Sequence, residues 1–192
     1  MKFIVEHLEP ELYEWCFIEY EHISKIVGKA NLIFTNIKSK KDQEKLKKYG
    51  KVYGKSISEL KIKDICVLSQ YSEKTLETKD KTNFRYFVFG GILGDNPAQR
   101  RTNSIIENLK KSKTSFETRN LGIKQMPTDA AVYIAKKIID GKKLSDFKFV
   151  DELEIEINGN ESINLNFRYV VDNNKVMISN KLIEYLRRKK EF

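Results

Sequence analysis

Apolar residues change their spacing several times along this chain, and each change marks an element. KFIVE, Lys2 to Glu6, is a short apolar run of strand length. In EWCFIEYEHISKIV, Glu14 to Val27, apolar residues at 15, 18, 23, 26 and 27 have the spacing of an amphipathic helix, and Gly28 ends it. NLIFTNI, Asn31 to Ile37, reads as a strand, and a lysine-rich helix follows to Tyr49 with Gly50 just past its end. Strand signals recur at Ile65 to Ser69 and at Phe84 to Phe89, on either side of a polar loop, Tyr71 to Asn83. After a glycine turn, Pro97 suits the first turn of a helix carrying Ile105, Ile106 and Leu109. Thr114 to Arg119 is a short fifth strand and RNLGIKQMPT a loop. Asp129 to Ile139 is a helix stopped by Gly141, with Thr128 as its N-cap or Pro127-Thr128 as its entry.

Strands alternating with helices predict an α/β fold, a mostly parallel sheet with helices on both faces. The rhythm breaks at 147–178. KFVDELEIEI alternates charged and apolar residues, as an antiparallel strand with one wet face does, and NFRYVV is its expected partner. A last helix runs from Asn180 to Lys190. No repeat or low-complexity linker interrupts the sequence, so residues 1–192 read as one domain, with 147–192 a small β appendage and C-terminal helix.

Composition narrows the class. With 40% hydrophobic and 33% charged residues the chain can build a core, and no apolar run approaches the length of a membrane span. MKFIVEHLEP is broken by Glu6 and His7 and is no signal peptide. Cys16 and Cys66 sit in apolar runs outside any metal-type spacing and read as buried hydrophobes. These features point to the cytoplasm. His7 and His22 lack a third ligand, so no metal is expected.

A net charge of +9 points to a polyanion, and its distribution is uneven. Lys38 to Lys51 holds seven lysines, and Arg187 to Lys190 is wholly basic. Residues 1–24 carry six glutamates against Lys2, and 151–161 five acids and no base. A lysine run is also what a solvated helix face looks like; the separation by sign is the more informative feature.

Ligands of open α/β sheets bind beyond the C-terminal ends of the strands. Candidate loops there are Leu68-Ser69-Gln70, the segment Gly90 to Asp95 (GGILGD), and Asn120 to Thr128. GGILGD is neither a phosphate loop nor a dinucleotide fingerprint, because no Gly-Lys-Ser/Thr follows and the spacing is wrong. A ligand held by main chain, such as adenine, fits better. A tight strand-to-helix turn would also use glycines.

GGILGDNP, with RNLGIKQMPTDAAVYIA about thirty residues later, resembles the SPOUT methyltransferases. It is most similar to the branch whose eukaryotic members methylate arginine on a small-subunit ribosomal protein, and EHLEPELYEWCFIEY and NFRYVVD extend that likeness over nearly the whole chain. It departs from the pattern at Ser69-Gln70, Ala98 and Ile123. The resemblance implies a trefoil-knotted α/β fold that binds S-adenosylmethionine in the knot and acts as a monomer. It implies cofactor contacts from Leu68, Ser69, Gln70, Phe89, Gly90, Gly91, Ile92, Gly94 and Asp95. From the other side, Asn120, Leu121, Gly122, Gln125, Met126 and Thr128 would close over the adenine.

An arginine acceptor calls for carboxylates that grip a planar guanidinium and take its proton. Glu6, at the end of the first strand, and Asp95, at the end of the glycine loop, are the expected pair, with Glu19 in reserve and Glu9 and Glu11 completing a negative mouth. An RNA acceptor would instead use basic groups, for which Arg100 and Arg101 are available, though they can equally anchor a loop carboxylate. Methylation of a ribosomal protein, in a ribosomal RNA context, is the leading reading. RNA methylation and a non-catalytic ribosome-assembly module remain the alternatives.

Overall fold

The computed structural model describes residues 1–94, 99–158 and 161–189. Its strands β1 (Lys2–His7), β2 (Leu32–Thr35), β3 (Lys51–Val52), β4 (Ile65–Leu68), β5 (Tyr86–Gly91) and β6 (Phe116–Arg119) form one sheet in the order β3-β2-β1-β5-β4-β6. Every pairing in it is parallel. The central strands are buried on both faces, which is why KFIVE, ICVL and YFVF read as continuous apolar runs.

Helices cover both faces, as the alternation predicts. Phe3, Val5, Phe87 and Phe89 pack against α1 (Glu14–Val27) and α5 (Thr128–Ile139) through Ile23, Val132 and Ala135. On the opposite face Ile4, Val67 and Val88 meet Ile105 and Leu109 of α4 (Asn103–Lys111), with Ile57 from a single 3-10 turn. Each fully buried side chain of this size contributes roughly 1.5–3 kcal/mol of transfer free energy. Cys16 and Cys66 are free and buried, and burial pushes the Cys66 thiol up to about 12.

Several elements differ from expectation for physical reasons. The lysine-rich helix α2 (Lys40–Leu46) stops short of Tyr49, and β3 follows directly. Two residues are too few to show a period, but Gly50 marks the spot: a Cβ there would lie 2.8 Å from the Leu32 carbonyl oxygen. The loop 71–83 contains α3 (Asp80–Asn83) and an isolated bridge from Thr75 to Asn120. Pro97 lies outside the described residues. Thr128 is not an N-cap; it is the first residue of α5 and its hydroxyl goes elsewhere.

The single long strand expected at 148–157 is broken. β7 (Lys148–Val150) pairs antiparallel with β10 (Tyr169–Asp172), which also takes β11 (Lys175–Val176). β8 (Leu153–Asn158) pairs instead with β9 (Glu161–Leu165). Together with α6 (Asn180–Arg188) this appendage builds a third core on the outer side of α1, where Ile18 meets Ile155, Leu165, Tyr169, Leu182 and Leu186.

Candidate active site

Beyond the C-terminal ends of β4, β5 and β6, three loops enclose a cleft with about 840 Å³ of empty space. The β4 loop supplies Leu68, Ser69, Gln70 and Tyr71. From β5 and its loop come Phe89, Gly90, Ile92 and Gly94, and further along Gln99, Arg100 and Thr102. After β6 the wall is Leu121, Gly122, Lys124, Gln125 and Met126, with Thr128 and Ala131 on α5.

The loops are tied to one another before any ligand arrives. Thr128 Oγ1 donates to the Gly90 carbonyl at 3.1 Å, joining the start of α5 to the end of β5. Asn120 does not line the cleft; it positions the loops that do. Its amide donates to the Ser72 carbonyl at 2.7 Å and its oxygen accepts from Gly122 N at 3.0 Å. That bond holds Gly122 at a φ of 98°, where a side chain would be strained. Beneath lies a buried ion pair, Arg119 with Asp80 at 2.9 Å.

Gly91 also lies off the cleft. A Cβ there would sit 2.1 Å from Tyr20 Oη and 2.9 Å from Val5 Cγ1, so this glycine makes room for α1. Asp95 lies outside the described residues. Tyr71, Gln99, Thr102, Lys124 and Ala131 are lining residues that sequence reasoning did not name, and Arg100, considered there only as a basic group for an RNA acceptor or as a loop anchor, lines the cleft as well. Ala131 was findable, being one helical turn on from Thr128. Arg100 stacks on the Tyr71 ring at 4.4 Å across two loops, a contact with no local signature.

The appendage reaches this cleft as well. Arg168 N donates to the Gln125 carbonyl at 2.9 Å, and Asp151 joins Arg168 to Lys124 through ion pairs of 2.6 Å each. Phe167 stands where a side chain on Gly94 would be.

The expected negative mouth is not open. Glu6 is 2% exposed and does not line the cleft. Its carboxylate accepts from Ser56 Oγ at 2.5 Å, from Ile57 N at 3.0 Å and from Thr35 Oγ1. Burial raises its pKa above the ordinary carboxylate range, opposed by those donors. Glu6→Gln would turn an amide N–H toward these donors. It is expected to destabilise the fold by roughly 1–3 kcal/mol while leaving cofactor affinity unchanged. Thermal melts and calorimetry check this; a drop in methyl transfer at unaltered stability would return Glu6 to the reacting centre.

Glu9 is likewise committed. It accepts from Leu93 N at 2.8 Å and pairs with Arg101 at 2.9 Å, which makes Arg101 a loop anchor. Glu11 is exposed.

Glu19 is buried at the start of α5, where the Trp15 indole donates to it at 2.8 Å. Burial and the nearby Asp129 carboxylate hold it well above the ordinary range, against the Trp15 and Thr128 N–H donors. Asp129 itself pairs with His22 at 2.7 Å. A raised folded pKa means the protonated form favours folding. That stability is complete below the unfolded value of about 4.3 and is lost as pH rises through the folded one. Glu19→Gln keeps the acceptor oxygen and has no proton to lose. Its melting temperature relative to wild type should therefore climb as pH rises from acid to alkaline. A constant difference across a pH series of melts would refute this.

Comparison with known proteins agrees with the fold. The family described as protein arginine N-methyltransferase SFM1-like matches residues 2–191. The curated protein arginine N-methyltransferase SFM1 of Saccharomyces cerevisiae is 38% identical over 192 residues, spanning 90% of this chain and 87% of that protein. The crystal structure of yeast SFM1 complexed with SAM superposes with a TM-score of 0.87 at 34% identity, covering 97% of this chain and 90% of that one. The Trm10 of Thermococcus kodakaraensis has a TM-score of 0.61 at 18% identity, over 76% of this chain and 96% of that one, a likeness of fold alone. On the family match and the extent of these alignments, the chain belongs to the SFM1-like protein arginine N-methyltransferase family, with the SPOUT-type α/β fold.

Proposed function

We propose that this protein transfers a methyl group from S-adenosylmethionine to an arginine side chain of a ribosomal protein, acting as a monomer in the cytoplasm. The observation that carries the reading is the cleft itself, at the strand ends of a fold whose yeast relative was solved with SAM. Its lining fits the cofactor. Leu68, Phe89, Leu121, Met126 and Ala131 offer apolar surface for an adenine, and Ser69, Gln70, Gln125 and Thr128 offer polar groups for its edges, the ribose and the amino-acid tail. At Gly90 a Cβ would crowd Ile92 at 2.9 Å and Thr102 at 3.2 Å, so the glycine leaves room beside the cleft. When bound, the cofactor supplies a methyl on a sulfonium centre, already activated for transfer to nitrogen.

The protein's share is alignment and disposal of a proton. An arginine guanidinium is protonated at any physiological pH, so a carboxylate must grip it and accept the proton released as the nitrogen is alkylated. We assign this to Asp95, which follows Gly94 in the chain, on the loop that Glu9 holds through Leu93 N. Glu6, hydrogen-bonded to the 56–57 segment, is assigned an anchoring role. Gly91 and Asn120 support the pocket from behind.

The test is tritiated methyl transfer into ribosomal extracts, followed by protease or RNase digestion. Label released by protease and recovered as methylarginine supports the proposal. Label that follows the RNA moves RNA methylation ahead, and absence of S-adenosylhomocysteine binding at millimolar ligand leaves the non-catalytic module. Asp95→Asn should lower transfer by roughly 10²-fold or more with cofactor affinity kept, the scale of a lost general base.

A further inference from the structure

At the other end of the sheet a second groove opens where the strands begin. Lys2, Leu32, Lys51 and Tyr86, at the starts of β1, β2, β3 and β5, stand along it with Tyr53, and Leu60 and Ile62 complete an apolar floor. Its empty space is about 670 Å³. Among the described residues, none that lines it is acidic.

The cations here are placed. Lys2 Nζ donates to the Ala30 carbonyl at 2.6 Å, which fixes its ammonium at the rim. Lys51 Nζ lies 5.0 Å from the centre of the Tyr53 ring, and Tyr86 lines the same groove. Lys29, Lys61 and Lys63, all exposed, are neighbours in the chain of the lining residues Ala30 and Ile62. The acids nearby are already engaged: Asp64 with Arg85 at 3.4 Å, and Glu59 with Ser56 N at 2.8 Å.

Cations alternating with ring faces over an apolar floor suit one class of ligand. Phosphates need the ammonium groups, bases need rings to stack on, and the floor excludes water beneath them. The phenols of Tyr53 and Tyr86 beside Lys51 add donor and acceptor groups of the kind a ribose 2′-hydroxyl uses. An acidic peptide would use the lysines but leave the rings idle.

We propose that this groove is a docking site for single-stranded RNA, separate from the methyl-transfer cleft and at the opposite end of the sheet. It does not rest on the identity of the methyl acceptor. The protein can therefore be held to RNA while its cleft works on a neighbouring polypeptide.

The experiment is fluorescence anisotropy of the full chain with a labelled oligouridylate of about 12 nucleotides, within the span such sites cover. Expected is saturable binding that weakens with salt. Lys51→Glu and Tyr86→Leu should each weaken it about tenfold, with melting temperature and S-adenosylhomocysteine affinity unchanged. Lys40→Glu/Lys41→Glu on α2 should have a smaller effect. Absence of binding up to about 100 μM at low salt, the weak limit for non-specific association, overturns the proposal. So does equal affinity for the matching DNA oligomer, or competition by polyglutamate as effective as by unlabelled RNA. Groove variants that bind like wild type while the α2 variant does not would place the RNA elsewhere and also overturn it. Loss of RNA binding with methyl transfer intact is the result that separates this site from the cleft.

Discussion

Gly91→Val is expected to damage the fold itself. A Cβ at position 91 would lie 2.1 Å from Tyr20 Oη, 3.0 Å from Tyr20 Cζ and 2.9 Å from Val5 Cγ1. Neither neighbour can yield. Tyr20 is 1% exposed, stacked on Phe34 with ring centroids 5.1 Å apart, and bonded to His7 Nδ1 at 2.8 Å. Val5 is in the middle of the sheet. Burial lowers the His7 pKa, so the ring is held neutral and the bond to Tyr20 is one of its few polar contacts. Overpacking costs about 1–3 kcal/mol, and breaking the buried hydrogen bond adds about 1–3 more. At roughly 2–4 °C per kcal/mol for a chain of this size, the melting temperature should fall by about 5–20 °C. Gly91→Ala combined with Tyr20→Phe removes the closest atom and should recover part of the loss relative to Gly91→Ala alone. If Gly91→Val melts like wild type, the close approach of α1 to β5 is wrong.

That prediction marks where the sequence was readable and where it was not. Period, caps and glycines are local, and they located the central strands, α1 and α5 to within a few residues. They also pointed to the loops after β4, β5 and β6, because parallel strands present their C-terminal ends together. The purpose of an individual glycine is not local. Gly90 and Gly91 are adjacent and look alike, yet one faces Ile92 and Thr102 beside the cleft and the other faces a helix more than sixty residues earlier in the chain. The partners of a carboxylate are not local either. Glu6 sits at the end of a strand as a reacting group might, but Ser56 and Ile57, fifty residues on, close over it. The broken strand at 148–157 has one alternating pattern and two partners, and pattern alone does not name partners. Arg168 and Phe167 were invisible as site residues, since nothing in NFRYVV says that its loop comes back to Gly94 and Gln125.

Gly94→Val should have the opposite signature, a site lost within an intact fold. A Cβ on Gly94 would lie 2.3 and 2.4 Å from Phe167 ring atoms and 2.8 Å from Gln125 Nε2. Gln125 is flexible and can swing, but the Phe167 ring is held by the appendage, whose next residue, Arg168, is tied to the Gln125 carbonyl and to Asp151. The collision is therefore relieved by moving the 92–94 loop or by lifting Phe167 and Gln125 together. Gly94 and Gln125 both line the cleft, so either movement distorts its wall. Gly94 is exposed and the side chain it would meet, Phe167, is a partly buried one at the margin of the third core, so stability should fall by much less than for Gly91→Val. Cofactor affinity should fall at least about tenfold, a loss of about 1.4 kcal/mol in binding. Calorimetry with S-adenosylhomocysteine beside thermal melts reads both quantities. Gly94→Ala in a Phe167→Ala background removes the obstructing ring and should bind as Phe167→Ala does alone. Should Gly94→Val bind the cofactor as tightly as wild type, the glycine loop is no more than a turn, and the meeting of Gly94, Phe167 and Gln125 has no part in holding the ligand.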